Sequence, residues 1–468
     1  SRSMMPTLLL SDALIWLLVF GVLAYARSVV KNPLSRASWG LVFQSKIASA
    51  SLVVLLLAVV ITLLDSVHLR LNAEQQSRYA SPIISVLDVA LGPLAYQREK
   101  SYSAPLATRS LSKETMEVDG KPVRDYARLQ FGGAHLIDES MKGQDLLKRA
   151  YQGALGGAVL WAFFLAALWI IRRAMAQADH QNSITVFTGS GAYQAVVWTL
   201  FALCVVGGVV WKWAEAYHVL GTDKVGVDVF YIALKGLRTA MLIGLLTTLL
   251  TLPVGIAMGL AAGYFRGWVD DVIQYIYTTL NSIPSVLLIA ATVLMLQVAL
   301  DANPDAFASS IEKADLRLFF LCAILGLTSW TGLARLIRGE VLKMREQDYI
   351  LAARASGVSS AKILFSHLLP NLMHLILIAM VMDFSGLVLA EAVLSYVGVG
   401  VDPSTFSYGT MINAARLELS REPIVWWSLV AAFVFMLLLV LSANLFADAV
   451  RDAFDPRARQ LKQSLVRV

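Results

Sequence analysis

Apolar residues gather along this chain in long continuous runs, and the short links between them hold most of the charge. A helix needs about 20 apolar residues to cross the hydrocarbon core of a bilayer. Nine runs come near that length: 7–26, 47–64, 153–171, 195–213, 239–264, 272–300, 318–333, 374–397 and 424–446. The run at 318–333 is the shortest. Backbone groups cannot stay unpaired in lipid, so each run is expected to be helical. The runs are continuous rather than alternating, which argues against a β-barrel. The pattern predicts an all-α integral membrane protein, a polytopic helical bundle of about nine spans.

Basic residues in the links set the expected orientation. Arg27, Lys31, Arg36 and Lys46 meet no acid between the first two runs, and Arg172 and Arg173 close the third. Arg335, Arg338, Lys343, Arg345, Arg354 and Lys362 follow the seventh, and Arg451, Arg457, Arg459, Lys462 and Arg467 follow the ninth. These links are expected in the cytoplasm, with the C-terminus inside and the N-terminus outside. The acid-rich link 301–317 falls outside by the same alternation. The short link 265–271 sets Arg266 against Asp270 and Asp271 and agrees less well. The segment 65–152 is mixed in charge, with apolar patches at 82–94, and reads as a small extracytoplasmic domain or long ordered loop. Structural packing is preferred there to a ligand site.

Composition sharpens this picture. Of 468 residues, 57% are hydrophobic and 15% charged, and mean hydropathy is +0.65. Soluble domains carry roughly 25% charged residues, so the missing charge implies a surface that faces lipid. The net charge of +6 follows from the basic links, and no basic stripe interleaves with aromatics as a nucleic-acid site requires. Cys204 and Cys322 each lie inside an apolar run and read as small buried hydrophobes. No cysteine or histidine spacing suggests a metal. Ser1-Arg2-Ser3 before Met4-Met5 reads as a leftover tail. The first run lacks a basic n-region and a small-residue cleavage site, so it is expected to be a retained helix rather than a signal peptide.

The link 338–370 differs from the others. It is long, polar and rich in good helix formers. Ile350, Leu351 and Ala353 recur at helical spacing before Gly357, and Ser359 or Ser360 can cap a second helix that leads to Pro370. A glycine between two short helices permits a sharp turn. A short surface helix presented by a bend can lie in a groove on a soluble partner; a plain amphipathic linker on the membrane is the alternative.

Ala352-Ala353, then Gly357 after three residues, then Leu369-Pro370, resembles the EAA loop of ABC importer permeases. Leu351 stands where that family has Glu, and His367 where it has Ile. The departure at Leu351 removes the polar contact or cap an acid would make. Four further stretches resemble the dipeptide/oligopeptide permeases of the C type. His218-Val219-Leu220-Gly221-Thr222-Asp223, Gly226 and Asp228-Val229 are similar to H-P-L-G-T-D-x-x-G-R-D-V, with Val219 for Pro and Val227 for Arg. Gly263-Tyr264, Gly267 and Val269-Asp270 resemble a GY-x-x-G-x-x-D turn. Ala390-Glu391-Ala392, Leu394-Ser395, Gly398, Gly400, Pro403, Ser407 and Gly409 resemble E-A-x-L-S-F-L-G-L-G-x-x-P-P-x-x-S-W-G. Arg451-Asp452-Ala453-Phe454-Asp455-Pro456 is similar to R-D-A-L-D-P. The five stretches keep the family's order over 217–457, roughly the last half of the chain.

The resemblance implies a type I importer membrane fold over 217–457, preceded by two spans (1–64), the segment 65–152 and two more spans (153–216), and followed by a cytoplasmic tail (458–468). The family has one span before its outer loop. Either 47–64 is that span and 65–216 is an insertion, or 195–213 is that span and all before it is an extension; the first arrangement is preferred. The resemblance further implies a permease subunit in a bacterial inner membrane, working with a second permease, two ATPase subunits and an extracytoplasmic binding protein. Peptides are the family's usual cargo, while related systems carry nickel, opines or sugars. The chain has no G-x-x-x-x-G-K-[ST] loop, so it is read as no enzyme, with no cofactor of its own and with ATP and Mg on the partners. Leu351, Ala352, Ala353, Arg354, Gly357 and Pro370 would couple it to an ATPase. Gly221, Thr222, Asp223, Asp228, Glu391, Gly398 and Gly400 carry the outer motifs, Glu391 and its glycines forming a turn that meets the binding protein. Asn281, Ser282 and Pro284 interrupt the sixth run, and Asp383 lies inside the eighth; all four are candidates for the path. Asp12, near the outer edge, reads as interfacial. The rival readings are an ion-coupled secondary carrier, for which no paired repeat is seen, and a non-transporting scaffold.

Overall fold

The computed structural model describes residues 5–71, 76, 79, 81–118, 120–178, 190–304 and 309–455. The leading Ser1-Arg2-Ser3-Met4, the Arg172 side chain, Pro456, the basic Arg457, Arg459, Lys462 and Arg467, and the tail 458–468 lie outside the described residues.

Long helices account for the apolar runs. Among the described residues eight are long and apolar enough to cross a membrane: Leu10–Lys31 (α1), Lys46–Asp65 (α3), Lys142–Ala178 (α6), Ser190–Ala214 (α7), Val229–Phe265 (α8), Ser310–Met344 (α11), the stretch Ser360–Val397, and Trp427–Phe454 (α15). The sixth expected span is not one straight helix. It is two, Gly267–Ser282 (α9) and Ser285–Asp301 (α10), bent by 87° at Ile283-Pro284. Counted as one broken span, the pair brings the number to nine. Pro284 lacks the N–H that would carry the α9 ladder onward. The shortest expected span grew into the 35-residue α11, because its polar ends are helical too. One helix was read only as a link: Pro33–Gln44 (α2), where Trp39 stacks on Phe43.

The chain divides into two compact units. The first holds 1–240 and 403–442, the second 241–402 and 443–468. In the first, the segment 65–152 adds strands to the helical frame. Met5–Thr7 (β1), His68–Arg70 (β2) and Ile83–Ser85 (β3) form an antiparallel sheet in that order. Arg109–Val118 (β4) and Lys121–Arg128 (β5) form a hairpin. Val86–Leu91 (α4) and Pro93–Tyr96 (α5) lie between them. Helices α6 and α7 cross at backbone distance: a Cβ on Gly157 would lie 2.2 Å from the Cys204 carbonyl oxygen, and one on Gly153 2.4 Å from that of Gly208. Small residues permit this approach, the usual basis of helix association in lipid. Cys204 and Cys322 are free and buried.

Buried ion pairs tie the N-terminal spans to the start of α8. Tyr231, Lys235 and Arg238 recur at the four- and three-residue steps that share a helix face. Arg238 donates to Asp12 at 2.7 Å and to the Ser11 hydroxyl at 2.7 Å. His68 Nδ1 lies 2.7 Å from the same carboxylate. Lys235 binds Asp65 and, at 3.1 Å, Asp88, which also accepts from the Tyr231 hydroxyl at 2.7 Å. Asp12 is therefore not interfacial: it is wholly buried, since a charge so placed is tolerable only with such partners.

The second unit packs α8, α9, α11 and the chain beyond it around two apolar clusters. One gathers Leu260, Tyr264, Ile337, Val341, Ile350 and Ile363, the other Ala262, Ile273, Tyr277, Trp330 and Ala334.

Candidate functional site

The 338–370 link forms helix, bend and helix. Asp348–Ala355 (α12) begins with an acid in its first turn, which suits the positive helix end. It closes on Gly357, whose φ is +75°. The Gly357 N–H bonds to the Arg354 carbonyl at 3.1 Å and the Val358 N–H to the Ala353 carbonyl at 3.1 Å. This pair of bonds is the usual glycine-closed helix end. Ser359 then caps the next helix, its hydroxyl accepting from the Lys362 N–H. Ser360–Lys362 (α13) passes through a π turn, Ile363–Leu368, into Leu369–Val397 (α14). Pro370 stands in the first turn of α14. In an uninterrupted α-helix its ring would meet the carbonyl four residues earlier, and the π turn relieves this.

The link has a buried and an open side. Ile350, Ile363 and Leu368 are wholly buried against Ile337 and Val341. Leu351, Ala352, Arg354 and Gly357 are exposed, and Ala353 is half-buried. A Cβ on Gly357 would meet nothing within 4 Å. The residues of the GY-x-x-G-x-x-D stretch hold the link in place. Asp270 receives a two-pronged bond from Arg338, at 2.6 and 2.7 Å. Arg345 donates to the Tyr264 carbonyl at 2.6 Å, and the Arg354 guanidinium lies 5.5 Å from the Tyr264 ring centroid. Asp270 and Arg338 were absent from the residues assigned to coupling. Their opposite charges sit 68 residues apart, so spacing could not pair them.

The outer motifs build a buried hub in the first unit. Gly221 turns at φ +72°. Thr222 accepts the Ser103 N–H at 2.7 Å, donates to the Ser101 carbonyl at 2.8 Å, and its own carbonyl accepts from the Trp427 indole at 3.0 Å. Asp223 accepts two N–H groups, from Val225 and Val227. Asp228 caps α8 by accepting from Tyr231 and faces His218 Nδ1 at 2.7 Å. The other His218 nitrogen lies 3.2 Å from Glu99, which also accepts the N–H groups of Gln130, Phe131 and Gly132. Burial alone would lower the His218 pKa, but the bonds to Asp228 and Glu99 outweigh it and raise it to about 9. Burial would raise that of Glu99, but His218 and the three N–H groups hold it at about 2.

Glu391 does not form a surface turn. It is buried in α14 and accepts from the Ser395 hydroxyl at 2.5 Å. Gly398, at φ +87°, ends α14 and is exposed, whereas Gly400 is buried with its carbonyl accepting from Arg317 at 3.2 Å. The expectation of an exposed docking turn thus fails at Glu391 and Gly400, whose polar groups are used inside the fold.

Asn281, Ser282 and Pro284 are exposed at the bend between α9 and α10. Asn281 accepts from the Thr331 hydroxyl at 3.1 Å, and Ser282 donates to the Thr279 carbonyl at 2.7 Å. Asp383 is exposed on α14. No three His, Cys, Asp or Glu side chains gather as a metal would need among the described residues.

Comparison with known proteins fits this geometry. The family described as binding-protein-dependent transport system inner membrane component matches residues 255–460. The dipeptide transport system permease protein DppC of Lactococcus lactis subsp. cremoris is 34% identical over 243 residues, covering 52% of this chain and 65% of that protein. The oligopeptide transport system permease protein OppC of Mycobacterium bovis is 32% identical over 248 residues, 53% of this chain and 79% of that protein. OppC of Bacillus subtilis is 31% identical over 243 residues, 52% of this chain and 73% of that protein. With the bent link, the pinned GY-x-x-G-x-x-D turn and these relatives in agreement, the chain belongs to the inner-membrane permeases of binding-protein-dependent ABC transport, in the dipeptide/oligopeptide group.

Proposed function

We propose that this chain forms half of the translocation path of an ATP-driven importer of peptides or similar small solutes, beside a second permease. Two ATPase subunits would supply ATP and Mg, and an extracytoplasmic binding protein the cargo. The C-terminus and the 338–370 link would lie in the cytoplasm of a bacterial cell. The observation that carries the reading is α12 on its glycine-closed bend: its inner side is clamped to α11 through Ile350 and Ile337, and its outer side is free. A lever so built passes a push on its exposed face into the helices it is packed against. ATP-driven closure of two ATPases would then bias a two-state rocking of the helices. The peptide cargo comes from the names of the relatives. Neither an ion-coupled carrier nor a scaffold is favoured by that kinship.

The test is co-purification from the native membrane, followed by uptake of labelled peptides into proteoliposomes with ATP inside and out. Recovery of two ATPase chains and a second permease, with ATP-dependent uptake, is expected. A chain that purifies without any ATPase and carries solute down an ion gradient would overturn the proposal.

A further inference from the structure

Asp383 is a charge at mid-span that the fold, among the described residues, does not use. It stands at the midpoint of α14, with about 21 Å of helix on either side at 1.5 Å per residue. Buried charges elsewhere in the chain have partners: Asp12 binds Arg238, Lys235 binds Asp65 and Asp88, and Glu391 accepts from Ser395. Asp383 has none among the described residues.

Its side of α14 is also the open one. Phe384, Ser385, Val388 and Ala392 are buried; Phe384 fills the space that a Cβ on Gly244 would need, and Ser385 donates to Asn444 at 2.6 Å. Met382, Asp383, Gly386, Leu389 and Val393 stay exposed on the other side. A bare carboxylate facing lipid at that depth is costly, so such acids face protein or water and take a cationic partner. The residues beside it suit an occupant of changing shape. Gly386 has nothing within 4 Å of where a Cβ would be and leaves a notch one turn away. Met382, exposed like Met373 further down the helix, is the side chain that adapts to varied apolar surfaces. A permanent helix–helix contact calls instead for close small-residue packing.

We propose that Asp383 lies on the translocation path and takes the positive charge at a peptide's free amino terminus as the cargo passes. The proposal rests on the reading of the chain as a peptide-importer permease. It deepens that reading by naming the chemical group recognised.

The experiment uses the complete complex in proteoliposomes, with trialanine and its N-propionyl analogue lacking the amine. Each is supplied at a concentration giving equal occupancy of the binding protein. The native complex is expected to move trialanine roughly tenfold faster than the analogue, as one charge-assisted bond allows. Asp383→Asn should lose that preference by slowing trialanine alone, with ATP hydrolysis stimulated by the loaded binding protein retained. Asp383→Glu should restore most of it. If Asp383→Asn keeps the full preference, the inference is overturned while the importer reading stands. If Asp383→Asn fails to co-purify with the second permease, the carboxylate is a subunit contact and the inference is again overturned. A native complex that assembles with its ATPases yet moves neither peptide overturns the peptide cargo, and the inference with it.

Discussion

Substitution of Gly357 separates two reasons for a glycine at the bend. At φ +75° an L side chain costs roughly 1–2 kcal/mol, while the chain itself offers open space for a Cβ. Within the isolated chain the penalty is thus conformational only, a factor of about 5–30 in the population of the closed bend. Asn tolerates this region better than Ala, so Gly357→Asn should disturb the isolated chain less than Gly357→Ala although it is larger. Amide exchange reads this directly, because the Val358 N–H is held only by the Ala353 carbonyl at 3.1 Å. Its exchange should quicken about 5–30-fold in the alanine variant and less in the asparagine variant. In the assembled importer bulk should count as well. Gly357→Trp carries a backbone penalty similar to that of alanine but far more volume, and should abolish coupled uptake where Gly357→Ala keeps a measurable part. Equal uptake by the Ala and Trp variants would refute the idea that a partner approaches this glycine. Unchanged Val358 exchange in Gly357→Ala would refute the strain argument.

Three other outcomes follow from the buried charges. Asp12→Ala leaves Arg238 without its carboxylate and should destabilise the docking of α1 by about 3–5 kcal/mol, seen as early proteolysis near the N-terminus; a variant as protease-resistant as the parent would refute the burial. The His218 hub should be most stable between pH 4.5 and 6.5. His218 rises to about 9 on folding, so its contribution is full below 6.5 and fades as pH climbs toward 9, whereas Glu99 falls to about 2, so its share is full above 4.5 and fades toward pH 2. Amide exchange at Gln130 and Phe131 should follow that profile, and a flat profile would contradict it. Asp270→Asn should weaken the two-pronged Arg338 bond by about 1–3 kcal/mol and lower ATPase stimulation. The exchange Asp270→Arg with Arg338→Asp should recover part of the loss, and no recovery would mean that the pair does not act as a unit.

What could be read from sequence and what could not divide along a physical line. Spans were legible because lipid makes backbone and side chain agree over some 20 residues: the apolar runs lie in long helices with ends shifted by polar turns, as in α11. The bend after α12 was legible for the same local reason. Gly357 and Ser359 act on backbone groups within five residues of themselves, through the bonds Val358 to Ala353 and Lys362 to Ser359. The break at Ile283-Pro284 was signalled by Asn281 and Pro284, but not its 87° angle, which depends on what packs on either half.

Partner choice was hidden. Asp12 finds Arg238 across 226 residues, Glu99 finds His218 across 119, and Asp270 finds Arg338 across 68. No periodicity encodes such a pairing; it exists only once the helices have met. Asp12, read as interfacial, was misplaced for this reason, because an acid near a span end looks the same whether water or a distant cation satisfies it; Glu391, read as a docking residue, is instead buried in α14 beside the Ser395 hydroxyl one turn on. That makes the remaining exception informative. The fold gathers partners from across the chain for Asp12, Asp65 and Asp88. Each of those carboxylates helps to hold elements of the chain in place. At mid-helix Asp383 has no such task among the described residues, and a carboxylate so placed is expected to face protein or water rather than lipid.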